Sequence, residues 1–282
     1  MNNGQQTLSE SNQVVRNQDR VYRPQQPWSR NRMDFLRHLE RAGLPVEHMI
    51  GLESGQEVYA FAAGEMVHPQ KWSDEALYEM GRLARALHRA GAEFVPQDPE
   101  GYKPWCLREI GSGKRIWCHG DIAPWNMIAR QGMPSCLVDW EYAGPLDPMV
   151  ELARICWLFP QLVDDDLQKI YDLPSPEKRA QQVRLICEGY QLERPDREKL
   201  VEQIIEVIVC ETAHEAIDVN LTFEDSGNLW GFAWRTRSLY LTWRNRKLLE
   251  EAMPSSLNSI SIYNKQTPLL FTPLIYCSER EI

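Results

Sequence analysis

Asp121, Asn126 and Asp139 are the residues of this chain whose types and spacing could do chemistry. They stand in His119-Gly120-Asp121-Ile122-Ala123-Pro124-Trp125-Asn126 and in Leu137-Val138-Asp139-Trp140-Glu141. Phosphoryl transfer asks a protein for little covalent help. It needs a carboxylate beside the attacking hydroxyl and oxygen ligands that hold magnesium on nucleotide phosphates. An Asp followed five positions later by an Asn, in a loop after a short strand, brings both side chains to one cleft. An Asp after the next strand can then complete the metal site. A lone Asp-x-x-x-x-Asn is an ordinary turn in many chains. Here His-Gly precedes it, and an apolar strand, Asp-Trp-Glu and Gly144-Pro145-Leu146-Asp147-Pro148 follow, a combination that chance does not readily assemble.

These motifs resemble the aminoglycoside phosphotransferase and choline kinase family, a branch of the protein-kinase-like fold. The resemblance implies that Asp121 is the catalytic base and that Asn126 and Asp139 are magnesium ligands, with ATP as donor and a small-molecule hydroxyl as acceptor. Gly120 stands where protein kinases carry the arginine of their H-R-D loop. The run Tyr142–Ala153 is similar to the family's segment after the metal-binding Asp, which makes Asp147 an orienting residue and His119 a structural one. Val21-Tyr22-Arg23 before Pro24 resembles the strand carrying the family's phosphate-contacting lysine, with Arg23 in its place. A guanidinium can meet phosphate bidentately, with a reach and geometry different from an ammonium. The glutamate that the family pairs with this cation would fall near Arg32, where the closest acids are Asp34 and Glu40. No glycine lies near the tip of the hairpin through Ser9, Ser11 and Asn12. Glu57–Ala63 resembles the strand and hinge that meet adenine, which assigns Phe61 to the nucleotide.

Around these motifs the periodicity changes along the chain. Residues 12–16 and 19–23 read as a hairpin, and Ser29–Ala42 reads as a helix with Met33, Leu36 and Leu39 on one face. Met49–Leu52 and Glu57–Ala62 form a second strand pair across Ser54-Gly55. A capped helix starts at Ser73-Asp74-Glu75 and closes near Gly91. Residues 92–116 carry three prolines and three glycines and read as loop. Arg115–His119 and Cys136–Asp139 are short strands. From Met149 to Met253 the period is helical, with breaks at Pro160, Pro174, Pro195 and Ser226-Gly227, giving four or five helices. The fold class is therefore α+β: a two-lobed kinase-like architecture with a reduced β-rich N-lobe over 1–63, a mainly helical C-lobe over 64–253 and a poorly ordered tail over 254–282.

Glu211, Glu215 and Asp218, with His214 beside them, fall at i, i+4 and i+7 on one predicted helix. The family's acceptor pockets lie in this helical lobe, so the resemblance makes this acidic face a candidate receiver of a cationic acceptor, against the ordinary reading of a solvated stripe. Aminoglycoside, choline-like amine, sugar and nucleoside hydroxyls all stay open. So does a second class of function, a kinase-fold immunity or regulatory factor with weak or no catalysis, which the departures in the small lobe favour.

Bulk properties bound these readings. With 43% apolar and 10% aromatic residues the chain can bury a core. No apolar run approaches the length of a membrane span, and the first ten residues lack the pattern of a secretory signal, so a soluble cytoplasmic protein is expected. A net charge of −9 disfavours non-specific nucleic-acid binding. Seven scattered cysteines with no CxxC read as free thiols.

Overall fold

Alternation in the first segments sorts their side chains between a core face and an open face. Val14 and Val21 turn inward from neighbouring strands while Asn17 and Arg20 stay outside. In the computed structural model, which describes residues 5–9, 13–163, 165–218, 220–222 and 229–253, this alternation builds a five-stranded antiparallel sheet. Its strands are β1 (Gln5–Ser9), β2 (Val14–Asn17), β3 (Arg20–Pro24), β4 (Met49–Glu53) and β5 (Gln56–Ala60), in the order β1-β2-β3-β5-β4. The register sets Arg23 opposite Glu57. Ser54 and Gly55 both have positive φ, 50° and 76°, as a two-residue hairpin turn between twisted strands requires. Helix α1 (Ser29–Arg41) buries Met33, Phe35, Leu36 and Leu39. Phe35 reaches across to Phe94, Trp117 and Trp140, with centroids 4.9, 5.5 and 5.8 Å away, and so joins the small lobe to the large one.

Strand β6 (Glu65–Met66) precedes α2 (Asp74–Glu93), whose first turn is capped by Ser73 accepting from the Ala76 amide at 3.1 Å. The chain then forms β7 (Ile116–Cys118), β8 (Met127–Arg130), β9 (Met133–Leu137) and β10 (Gly144–Leu146). β6, β8 and β9 make one small sheet, and β7 pairs with β10 in another. Residues 119–126 and 138–143 are thus the connections between two anchored strand pairs. Three of these short strands, β6, β8 and β10, carry no sequence period of their own and are formed by pairing.

The rest is helical: α3 (Pro148–Leu158), α4 (Asp165–Ile170), α5 (Pro176–Tyr190), α6 (Arg194–Asp218), α7 (Trp230–Arg244) and α8 (Arg246–Glu251). These are six helices among the described residues where the breaks in the sequence predict four or five. The extra division falls at Asn245, whose backbone leaves the helical region between α7 and α8. Helices α2 and α5 approach closely through glycines on both sides. A Cβ on Gly81 would lie 2.1 Å from the Ile186 carbonyl oxygen, and one on Gly189 would lie 2.0 Å from that of Tyr78. The architecture is α+β and two-lobed, with the strand-rich part N-terminal and the helical part C-terminal. The predicted tail, 254–282, and the hairpin tip at 10–12 lie outside the described residues.

Candidate active site

Gly120 sets the geometry of the loop that follows β7. Its φ is +86°, and a Cβ there would stand 2.3 Å from the Tyr142 carbonyl oxygen, so no larger residue fits. Its amide donates to Glu151 Oε1 at 2.6 Å, and its carbonyl accepts from Trp105 Nε1 at 2.9 Å. Glu151 is buried and bonded to His88 Nε2 at 2.8 Å, while His88 Nδ1 meets the Tyr190 hydroxyl at 2.8 Å. Burial alone would raise the Glu151 carboxyl, but His88, His119 and the Gly120 amide outweigh it and lower it. Cys118 lies against this pair and could complete a three-ligand metal cluster. His88 and Glu151 are already each other's partners there. His119 places Nε2 on the Val138 carbonyl at 3.0 Å and Nδ1 on the Asp121 amide at 3.1 Å. Nδ1 accepts, so Nε2 carries the proton. Burial depresses this ring to about 4 and keeps it neutral. Asp147 caps α3 by accepting from the Met149 amide and also takes the Gly113 amide, at 2.9 and 2.6 Å.

Both carboxylate oxygens of Asp121 are held. Oδ1 meets Arg154 Nη2 at 2.6 Å, and Oδ2 accepts from Asn126 Nδ2 at 2.9 Å. Burial pushes the Asp121 carboxyl up to about 6, with Arg154 opposing. Arg154, on α3 and 3% exposed, also donates to the Ile122 carbonyl at 2.9 Å and from Nε to Glu211 at 2.5 Å. Glu211 therefore turns inward, between Arg154 and Arg235 of α7. Glu215 pairs with Arg235 at 3.3 Å and Asp218 with His214 at 3.0 Å. On α6, Glu211 and Glu215 are thus engaged by arginines and Asp218 is in contact with His214, so none of the three is presented bare to a cation. The spacing could not show the arginine of α7 that meets Glu211 and Glu215. Arg154 itself had a signal: a single cation in the apolar run Leu152–Leu158 must have a buried partner.

Asp139 leaves β9 in the left-handed region, with φ +65°. Its amide donates to Glu47 Oε1 at 3.1 Å, and its Oδ1 accepts from Arg23 Nη1 at 2.6 Å. Arg23 Nη2 stands 3.8 Å from Glu47 Oε2. Burial alone would lower the Arg23 guanidinium, but Glu47 and Asp139 raise it. Neither Asp34 nor Glu40 is the partner of Arg23. Glu40 is bonded to His48 at 2.7 Å, and Arg32 occupies the helix position, buried and paired with Glu57 at 2.7 Å. Glu57 also accepts from the Ser29 and Tyr59 hydroxyls. The charge polarity between α1 and the sheet is thus reversed from the expected one.

These groups line one cavity of ≈ 590 Å³ between the sheet and the loops, within the usual range for a small-molecule site. Arg23, Arg32, Glu47, Glu57, Asn126 and Asp139 supply its polar wall; Val14, Val21, Tyr59, Phe61, Trp125, Ile128 and Val138 contribute the apolar part. The Phe61 amide donates to the Asp19 carbonyl at 2.7 Å, so it is engaged within the lobe. Phe61 lines the cavity, and Arg16 sits over its ring at 3.4 Å. Asn126 directs Nδ2 at Asp121, which leaves its amide oxygen as the remaining donor atom. With Asp139 that is an oxygen-only set, suited to a hard divalent cation, and a guanidinium already sits on Asp139 as a cationic stand-in.

Residues 99–195 match the model of the phosphotransferase enzyme family. The chain is 40% identical over 246 residues to a trifolitoxin immunity protein from Rhizobium leguminosarum bv. trifolii, covering 85% of this chain and 94% of that one. Among solved structures it is similar in fold to an amicoumacin kinase in complex with AMP-PNP, Ca2+ and Ami. That likeness has a TM-score of 0.60, 13% identity and 91% of each chain covered. A choline/ethanolamine kinase family protein from Mesorhizobium loti follows at TM-score 0.52 and 16% identity, covering 86% of this chain and 88% of that one.

Proposed function

The chain belongs to the phosphotransferase enzyme family of aminoglycoside and choline kinase-like proteins, and on that premise we propose that it transfers the terminal phosphoryl group of ATP to a hydroxyl of a small molecule. The observation that carries this reading is the convergence of Arg23, Asn126 and Asp139 on one cavity, with Asp121 bonded to Asn126. Asn126 and Asp139 would hold magnesium, whose charge neutralises the phosphates and the oxygen that leaves. Arg23 binds phosphate oxygens. Asp121, ionised and held by Arg154 and Asn126, takes the acceptor's proton as its oxygen bonds to phosphorus. The bond from that phosphorus to the bridging oxygen breaks, and ADP departs. His119 and Asp147 orient the loops and touch no reacting atom.

Calorimetric titration of ATP, with and without magnesium, tests the reading. Tight binding that needs both magnesium and Asp139 is expected, and an Asp139→Ala protein that binds equally well overturns the site. Asp121→Asn should bind nucleotide while losing transfer by about 10²–10⁴-fold.

A second reading rests on the relative in Rhizobium, an immunity protein by name: the chain protects a cell from a peptide toxin. Both readings hold together if protection is phosphoryl transfer to the toxin. Expression in a trifolitoxin-sensitive strain separates them. Protection lost in Asp121→Asn joins the two, and protection retained there assigns it to binding alone.

A further inference from the structure

The two charged groups that meet in the cavity wall, Arg23 on β3 and Asp139 after β9, are 116 residues apart in sequence and share one further neighbour. That neighbour is Glu47, 5% exposed, in the stretch between α1 and β4. Its two oxygens divide the work: Oε1 takes the amide of Asp139, and Oε2 faces the guanidinium of Arg23. Its own backbone is fixed, because Glu47 donates to the Leu137 carbonyl at 3.0 Å and the Leu137 amide donates to Pro45 at 2.9 Å. The carboxylate therefore has a rigid base on the same strand that delivers Asp139. The residue it grips is one that needs a grip, since a non-glycine residue at φ +65° is held there by its surroundings.

No acid of α1 is the partner of Arg23, and Asp34 forms no ion pair among the described residues. Arg32 stands at the expected acid position and is consumed by Glu57, and Glu40 is consumed by His48. We propose that Glu47 is the positioning carboxylate of this site: it fixes Asp139 through the backbone and Arg23 through the side chain, so that cation and metal-binding acid are aligned by one residue outside helix α1. The proposal rests on the reading of Arg23 as a phosphate contact and Asp139 as a metal ligand, and it adds the element that registers them.

Four proteins decide it: wild type, Glu47→Gln, Glu47→Asp and, as the helix-acid contrast, Glu40→Gln. Hydrogen exchange at the Asp139 amide is measured in the ligand-free protein, with the amides of α2 as internal reference. ATP with Mn2+ is then titrated calorimetrically. Glu47→Gln should exchange the Asp139 amide about tenfold faster and bind ATP with Mn2+ about tenfold more weakly, the scale of one hydrogen bond to a charged group. The α2 amides should stay at wild-type rates. Glu47→Asp should recover part of both losses, and Glu40→Gln should match wild type. Unchanged exchange at Asp139 in Glu47→Gln, or losses that appear in Glu40→Gln instead, overturns the proposal. If the wild type binds no ATP with Mn2+, the phosphotransferase reading fails, and the exchange rates alone still decide whether Glu47 positions Asp139.

Discussion

His119 shows how one side chain between two others can set both a loop and a pH dependence. Its neutral ring bridges the Val138 carbonyl and the Asp121 amide, with its face against Trp140 at 4.4 Å. The ring is held at about 4, against about 6.5 in an unfolded chain. Between these values the unfolded state binds a proton that the folded state refuses, so stability falls as pH drops from about 6.5 towards 4 and is untouched above that window. The contribution is about 3 kcal/mol. Urea unfolding of His119→Gln from pH 7 to 4 should show a loss smaller by roughly that amount, and identical slopes would deny the ring its buried neutral state. Asp121 moves in the opposite sense. Its carboxyl, pushed up to about 6 by burial, should titrate near there in ligand-free protein observed by carbon NMR, and Arg154→Met should move the midpoint higher.

At the scale of elements, Arg154 is where three segments meet: the loop after β7, helix α3 and helix α6. Removing its charge leaves Asp121 with Asn126 alone and Glu211 with only the 3.7 Å contact to Arg235. Arg154→Met should therefore cost about 3–5 kcal/mol in denaturant unfolding, far beyond an exposed arginine. The α2–α5 crossing makes a separate prediction. A methyl at Gly81 meets the backbone carbonyl of Ile186, which is not a flexible tip that can yield. Gly81→Ala, a favourable change in most helices, should here cost about 1–3 kcal/mol because the two helices must part.

Across the whole molecule, what could be read from sequence was what is local. Asp121, Asn126 and Asp139 fall within one short stretch, and the capped start of α2 and the Ser54-Gly55 turn are written in neighbouring residues. Glu47 and Arg32 were not legible as site groups, and Arg154 showed only that it needed a buried partner, because the partners lie far off: 92 residues from Glu47 to Asp139, 25 from Arg32 to Glu57 and 57 from Arg154 to Glu211. A charge gives no sign in sequence of which distant charge it will meet. For the same reason the acidic face of α6 looked open until α7 was laid beside it.

The contact between Arg23 and Asp139 bears on how the whole chain would behave without the divalent cation proposed for it. A protein that leaves its metal-binding carboxylates facing one another is destabilised by chelators, because the folded state then carries uncompensated repulsion. Here the folded chain brings its own counter-ion to Asp139 at 2.6 Å. Chelation with EDTA should leave the thermal midpoint unchanged within about 1 °C. Arg23→Met removes that internal cation and should reverse the behaviour: lower stability without divalent ions, recovered as Mn2+ is added, and tighter Mn2+ binding in the absence of nucleotide than the wild type achieves. On the proposed reading of Asp139 as a metal ligand, the arginine and the cation would compete for one oxygen, and a nucleotide phosphate that draws Arg23 away would free that oxygen for its own cation.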